Sequence, residues 1–217
     1  MLVKADPNDL KKIACGIRKQ ILRMSFDART PHIGSALSCT DILVSLYWSF
    51  LNLDPLHPTA DSRDRFILSK GHAATALYAV LHARRIVSDE LLKDYSLPGA
   101  QLAEHPIYNT IPGIEVTGGS LGHGLPIALG IALAAKIQKK KFNVYVLQSD
   151  GECNEGSVWE AAILAPRLGL DNLYLIVDYN KWQATGRSDE ITCLSPLSEK
   201  FKSFGWNSTL VNGHDFN

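Results

Sequence analysis

The sequence lacks any Cys-x-x-Cys pair: its four cysteines, Cys15, Cys39, Cys153 and Cys193, stand far apart. That spacing excludes a zinc ribbon and a dithiol redox motif, and reads as reduced thiols of a cytoplasmic protein. Neither charge sign predominates, with 22 basic and 22 acidic residues and a formal net charge of zero. The basic footprint of a nucleic-acid or anionic-membrane binder is therefore missing. No stretch approaches the roughly 20 apolar residues of a membrane span. The opening MLVKADPNDLKK has no apolar h-region, so no secretory signal is expected. Internal repeats and low-complexity tracts are also lacking. What is present is 46% hydrophobic and 20% charged residues over 217 positions. That composition suits one globular domain, residues 1–217, with a continuous core. A chain without net charge is also prone to associate with other chains.

Asp6-Pro7 with Asp9 has the chemistry of a helix start, and Leu10, Ile13, Ile17, Ile21 and Met24 follow at helical spacing. Residues 29–34 read as a loop, after which Ser38-Cys39-Thr40-Asp41 caps a second helix through Trp48. The Pro- and Asp-rich stretch 51–64 reads as loop, Arg65–Ser69 as a buried strand, and Gly71-His72 as the next helix start. Residues 95–124 are dense in Gly, Pro and polar residues and too long for a mere connector, which favours a functional loop. Beyond them come a helix from about Pro126 to Ile137, a strand Asn143–Leu147, a helix Val158–Leu168 and a strand Leu173–Val177. Alternating helices and β-branched strands predict an α/β fold, a parallel sheet sandwiched by helices.

Two segments carry the chemistry: Ser149-Asp150-Gly151-Glu152-Cys153-Asn154-Glu155-Gly156, and Asp178-Tyr179-Asn180. Asp150 and Asn180 each follow the carboxyl end of a predicted strand, where open parallel sheets bind ligands. One carboxylate and one amide oxygen make a hard-oxygen site suited to Mg²⁺ or Ca²⁺, with phosphate oxygens and water completing the coordination. Gly151 permits close backbone approach, and the N–H groups that open the following helix favour an anion. A generic βαβ unit with an Asp-Gly turn accounts for these residues equally well.

At this point the sequence resembles the thiamine-diphosphate enzymes, whose fingerprint is usually Gly-Asp-Gly and Asn-Asn; Ser149 and Tyr179 depart from it, while both ligand positions remain. Further segments resemble the transketolase group in order and spacing: Pro31-His32-Ile33-Gly34, Leu68-Ser69-Lys70-Gly71-His72, Glu104-His105-Pro106, residues 112–124, and residues 178–186. The resemblance implies the diphosphate-binding type of thiamine-diphosphate fold. It implies thiamine diphosphate and Mg²⁺ (or Ca²⁺) as cofactors, with Asp150, the Asn180 side chain and the Trp182 carbonyl as metal ligands. By the same resemblance, His32, His72 and His105 line a substrate channel, where histidine suits proton movement on sugar hydroxyls near neutral pH. Gly119 and Leu121 would pack on the aminopyrimidine. Glu155 resembles a buried acid that links two cofactor sites; the plainer alternative is a helix N-terminal acid. His123 stands where larger members often carry Gln. His57, His82 and His214 read as ordinary surface or satisfied side chains, Lys139-Lys140-Lys141 as a solvated helix end, and Arg63, Asp64 and Arg65 as local ion pairs.

A complete member of that group carries a second domain that grips the pyrimidine and supplies an acid beside it, and 217 residues leave no room for one. The end, Val211–Asn217, resembles the turn before another helix and strand of the same domain. A shortened subunit, or a domain cut or continued by another polypeptide, is therefore expected. The implied function is the diphosphate- and metal-binding subunit of a two-component transketolase-like enzyme. It would move a two-carbon ketol unit from a ketose phosphate to an aldehyde, with a pyrimidine-binding partner subunit in a dimer of dimers. Two alternatives stand beside it: a thiamine-dependent 2-oxoacid decarboxylating component that passes its unit to a lipoyl or carrier-protein thiol, and a cofactor-binding partner without turnover.

Overall fold

The first helix shows how local chemistry sets the elements. In α1 (Pro7–Ala28) the Asp6 side chain accepts a hydrogen bond from the Asn8 N–H at 2.8 Å, and Pro7 opens the first turn. At the other end Arg29 adopts a left-handed conformation (φ 51°) and its N–H closes on Phe26 and Ser25 carbonyls. The buried stripe is Leu10, Ala14, Ile17, Ile21 and Met24, close to the predicted face. The structure is a computed structural model and describes residues 5–217. The chain divides into two compact units.

One unit takes the chain to Asp64, then Gly71–Gly119 and Gly213–Asn217. It is helical: α1, α2 (Ile33–Ser38), α3 (Thr40–Ser45) with a π turn Leu46–Phe50, α4 (Ala74–Ala83) after a 3₁₀ turn Gly71–Ala73, and α5 (Asp89–Lys93). The helix α1 packs against α3 and α4, and every residue of α4 from Ala74 to Leu81 is buried. The helix expected after Ser38-Cys39-Thr40-Asp41 is present as α3, continued by the π turn to Phe50, but a separate short helix, α2, already begins at Ile33, inside the stretch expected as loop. The Thr40 hydroxyl donates to the Ala36 carbonyl at 3.0 Å, a side-chain competitor for the helical acceptor at the break. Arg18 clamps Asp41 through both guanidinium nitrogens at 2.8 and 2.7 Å, and His214 Nδ1 lies 2.8 Å from the same carboxylate. Arg63 reaches Glu115, a pairing 52 residues away in sequence and so outside the local pairs expected.

The second unit takes Arg65–Lys70 and Ser120–Asn212. Its sheet is parallel, in the order β1 (Arg65–Leu68), β2 (Val144–Ser149), β3 (Leu173–Asp178), with Leu68 opposite Leu147 and Ser149 opposite Asp178. All six residues of the central strand are buried. The outer strand β3 is half-open, with Tyr174 45% exposed. Flanking it are α6 (Gly124–Ile137) and α7 (Gly156–Arg167), the latter connecting β2 to β3 as a βαβ crossover. An antiparallel hairpin, β4 (Trp182–Gln183) with β5 (Gly186–Arg187), carries no signal in the sequence pattern; α8 (Ser188–Ile191) and α9 (Leu197–Ser203) follow. Trp159, Phe201, Phe204 and Trp206 form an aromatic cluster that holds α9. Among the described residues no helix is long and apolar enough to cross a membrane.

The start of α6 is two residues earlier than predicted because the Gly124 N–H donates to Ser69 Oγ at 3.1 Å. A Cβ on Gly124 would stand 2.3 Å from the Ser69 side chain, so only glycine allows that approach. Gly124→Ala should therefore destabilise the chain by about 1–3 kcal/mol; thermal or denaturant unfolding checks this, and an unchanged midpoint would show that the two segments part without cost.

Candidate functional site

The sheet presents its carboxyl ends to a group of polar side chains, all within the second unit. Asp150 directly follows β2 and is fully buried. Its Oδ1 accepts from the Gly151 N–H at 2.9 Å; its Oδ2 accepts from the Lys181 N–H at 3.0 Å and the Ser188 hydroxyl at 2.7 Å. Burial raises its carboxyl above the usual carboxylate range, the Ser188, Gly151 and Lys181 hydrogen bonds work against this, and nearby Asp178 adds to it. No cationic side chain among the described residues bonds it. Asn180, two residues beyond β3, is half-buried; its Oδ1 accepts from the Trp182 N–H at 2.9 Å and its Nδ2 donates to Asp178 Oδ2 at 3.4 Å. The hairpin β4–β5 is stitched over the turn after Asp150: Asn154 Nδ2 donates to Gln183 at 2.9 Å and Thr192 Oγ1 donates to Asn154 at 2.6 Å. Around Gly151 the approach is close: a Cβ there would lie only 3.3 Å from the Gln183 side chain.

Among the described residues no three His, Cys, Asp or Glu side chains gather as a metal cage. A cation here would therefore rest on one carboxylate, the Asn180 amide oxygen and a carbonyl, with the ligand's own oxygens. That donor set fits a hard divalent ion, and a buried carboxylate with hydrogen-bond donors but no cation is the complementary observation.

Two further buried charges lie beside it that sequence reasoning does not assign to a site. Glu152 is fully buried and accepts from the Ser69 hydroxyl, from the Gly122 N–H at 3.0 Å, and from the Ser149 N–H and hydroxyl at 2.8 and 3.2 Å. Lys70, also fully buried, places its ammonium 2.6 Å from Asp178. A signal for Glu152 is present in the sequence: Ser149-x-x-Glu152 has capping-box spacing, and its carboxylate does reach back to the Ser149 N–H. Lys70 carries no comparable signal, since its partner lies 108 residues away.

Glu155 is exposed in the single chain, its stem packed on Gly122, where a Cβ would come within 2.5 Å of its own. Leu121 is 40% exposed and His123 is exposed at the N-cap of α6 without a side-chain capping bond. Trp182 is 60% exposed, with the Arg187 guanidinium 5.3 Å from its ring centroid. Cys153 is buried and its thiol is pushed up to about 12 by burial, which removes it as a nucleophile.

The other unit holds the histidines. His32 and His72 face each other with ring centroids 5.2 Å apart, His32 in a left-handed backbone conformation (φ 70°) and exposed. Gly71 lies against the backbone of residues 118 and 119, where a Cβ would meet the Gly119 nitrogen at 2.8 Å. Gly119 in turn faces His105, whose ring would touch a Cβ there at 3.8 Å. The unit thus brings His72, His105 and Gly119 into one neighbourhood. His82 and His57 pair with Asp89 and Asp54, each at 2.8 Å, as surface histidines do.

A family model described as transketolase, thiamine diphosphate binding domain, matches residues 11–217. The chain is 39% identical over 198 residues to one subunit of the apulose-4-phosphate transketolase of Phocaeicola vulgatus, covering 91% of this chain and 70% of that protein. It is 39% identical over 207 residues to a 6-deoxy-6-sulfo-D-fructose transketolase subunit of a Clostridium species, covering 95% and 75%. It superimposes on the transketolase of Campylobacter jejuni with a TM-score of 0.90 at 32% identity, over 98% of this chain and 34% of that one. The chain thus spans about a third of the length of the solved transketolases it matches.

Glu152 gives the site a measurable dependence. Glu152→Ala leaves the Ser69, Gly122 and Ser149 donors without their acceptor, at a cost of about 1–3 kcal/mol for each that water cannot reach. Denaturant unfolding should show a loss of that order, with Glu152→Gln intermediate because one acceptor oxygen remains. Equal stability of all three proteins would mean the donors find other partners.

Proposed function

Because the chain belongs to the transketolase family through its thiamine diphosphate-binding domain, we propose that it is the diphosphate- and metal-binding subunit of a two-component ketol transferase. The reaction is transfer of a two-carbon ketol unit from a ketose to an aldehyde acceptor. The observation that carries this reading is Asp150: a fully buried carboxylate at the end of the central strand, bonded by three neutral donors, with Asn180 at the end of the next strand. Asp150, the Asn180 amide oxygen and the Trp182 carbonyl would hold Mg²⁺ or Ca²⁺, and the metal would hold the diphosphate. Thiamine diphosphate, when bound, supplies the electron sink for breaking the bond beside the sugar carbonyl. His32, His72 and His105 then take and return protons at substrate hydroxyls, a role that matches imidazole near neutral pH. Gly119 and Leu121 would contact the aminopyrimidine, and Glu155, exposed in the single chain, is available to a partner subunit.

The relatives' names support the wider assignment. Two are subunits, and their named substrates are sugars that carry a phosphate or a sulfonate. A ketose with a terminal anionic group is the proposed donor class. The partner is a pyrimidine-binding subunit, the assembly a dimer of dimers, residues 1–217 one cofactor-binding domain, and the setting cytoplasmic.

Asp150→Ala removes the one charged ligand. Titration calorimetry with thiamine diphosphate and Mg²⁺ should show binding lost while circular dichroism stays that of the wild type; unchanged affinity in the folded variant would sink the site.

A second expectation follows from inventory. Beyond the Gly119 and Leu121 contacts, no group in this chain is assigned to grip the pyrimidine or to place an acid beside it. The purified chain, saturated with cofactor and Mg²⁺, should show no ketol transfer from any ketose phosphate, and adding the partner polypeptide should restore it. Full turnover by the chain alone would refute the split enzyme.

A further inference from the structure

A lysine ammonium with no exposed surface is costly to bury and needs a reason beyond stability, since apolar residues of similar shape serve a core as well or better. Lys70 lies just past the end of β1, and its ammonium stands 2.6 Å from Asp178 Oδ2, at the end of β3. The same Asp178 oxygen receives the Nδ2 donor of Asn180 at 3.4 Å, and the Asp178 carbonyl accepts from the Asp150 N–H at 3.3 Å. The pair therefore touches both residues whose side chains are proposed to hold the metal.

The consequence is one of orientation. An amide has two ends of nearly equal shape, and only its oxygen can bind a hard cation. An ionised carboxylate accepts and never donates, so the end of Asn180 that faces Asp178 must be the NH₂. That turns Oδ1 outward, to where it accepts from the Trp182 N–H at 2.9 Å. Lys70 makes a second carboxylate tolerable at this place, because its charge offsets one of two neighbouring buried anions, Asp150 and Asp178.

We propose that the buried Lys70–Asp178 pair is the positioning element of the metal site, which holds the Asn180 amide with its oxygen toward the cation. The inference rests on the function proposed above. Its test is the neutral, shape-conserving variant Lys70→Met/Asp178→Asn, which removes both charges at once and should keep the fold. Asn at 178 can turn either end of its own amide to Asn180, so the orientation is no longer selected. Calorimetry with Mg²⁺ and thiamine diphosphate should show affinity reduced about tenfold or more at a thermal midpoint close to wild type. A folded double variant that binds within twofold of wild type overturns the proposal. If the double variant does not fold, Asn180→Asp decides, at a half-buried position. It offers the cation a better, charged ligand but sets a second acceptor-only group against Asp178. Weaker cofactor binding is the expected result, and equal or tighter binding overturns the proposal. A wild-type chain that binds no thiamine diphosphate overturns the proposed function and this inference with it, whereas a wild type that binds beside an equally competent double variant overturns this inference alone.

Discussion

A carboxylate taken out of water must be met by donors or by a cation. Three of them, Asp150, Glu152 and Asp178, are buried at the carboxyl ends of this parallel sheet, and the second unit is organised around how each is met. Asp178 has the Lys70 ammonium. Glu152 has neutral donors drawn from β1's end, from β2's end and from the loop before α6. Asp150 has three neutral donors and, among the described residues, no cation. The three are met differently: Asp178 by a cation, Glu152 by four neutral hydrogen bonds that close around it, and Asp150 by three. On the proposed function, Asp150 also meets the cation that arrives with the ligand.

The same bonds explain why short, irregular segments hold a defined shape there. Residues 120–124 and 181–192 contribute little apolar burial of their own, yet each is tied to a buried carboxylate by its own N–H or hydroxyl groups. The Gly122 N–H goes to Glu152, while the Lys181 N–H and Ser188 Oγ go to Asp150. The hairpin β4–β5 follows from those anchors, since the chain must reverse between Lys181 and Ser188 to bring both to the same carboxylate oxygen. Gly186, at φ 155°, permits the reversal.

How much of this is legible in the sequence depends on the distance over which the deciding contact acts. The cap of α1, the three strands and the crossover α7 are readable because Asp6-Pro7, the buried β-branched runs and the spacing of apolar residues act within a few positions. Asp150 and Asn180 are readable as strand-end residues for the same reason. The burial of Glu152 is not, because it is set by Ser69 and Gly122, which come from 83 and 30 residues away. Lys70 stands out only as a residue of its motif, because its partner lies across the sheet. The break between α2 and α3 falls where the Cys39 thiol and the Thr40 hydroxyl both donate to the Ala36 carbonyl, within the stretch whose residue types read as a helix cap.

The outer surface of α7 bears on how the chain is used. Its inward residues are Val158, Ala161, Ala162 and Ala165, while Ile163 and Leu164 are 56% and 45% exposed. A helix meant for water puts its large aliphatic side chains inward and its small or polar ones outward. Here the order is inverted over one turn, and Ile127 on α6 and Tyr174 on β3 add exposed apolar surface of 40% and 45%. Scattered exposed aliphatics are ordinary on any protein, but a small-in, large-out helix is not explained by this unit's own packing, and it leaves an apolar face open in these residues. On the proposed function, residues 1–217 hold the diphosphate and its metal, and the proposed partner subunit supplies the acid for the ring at the cofactor's other end.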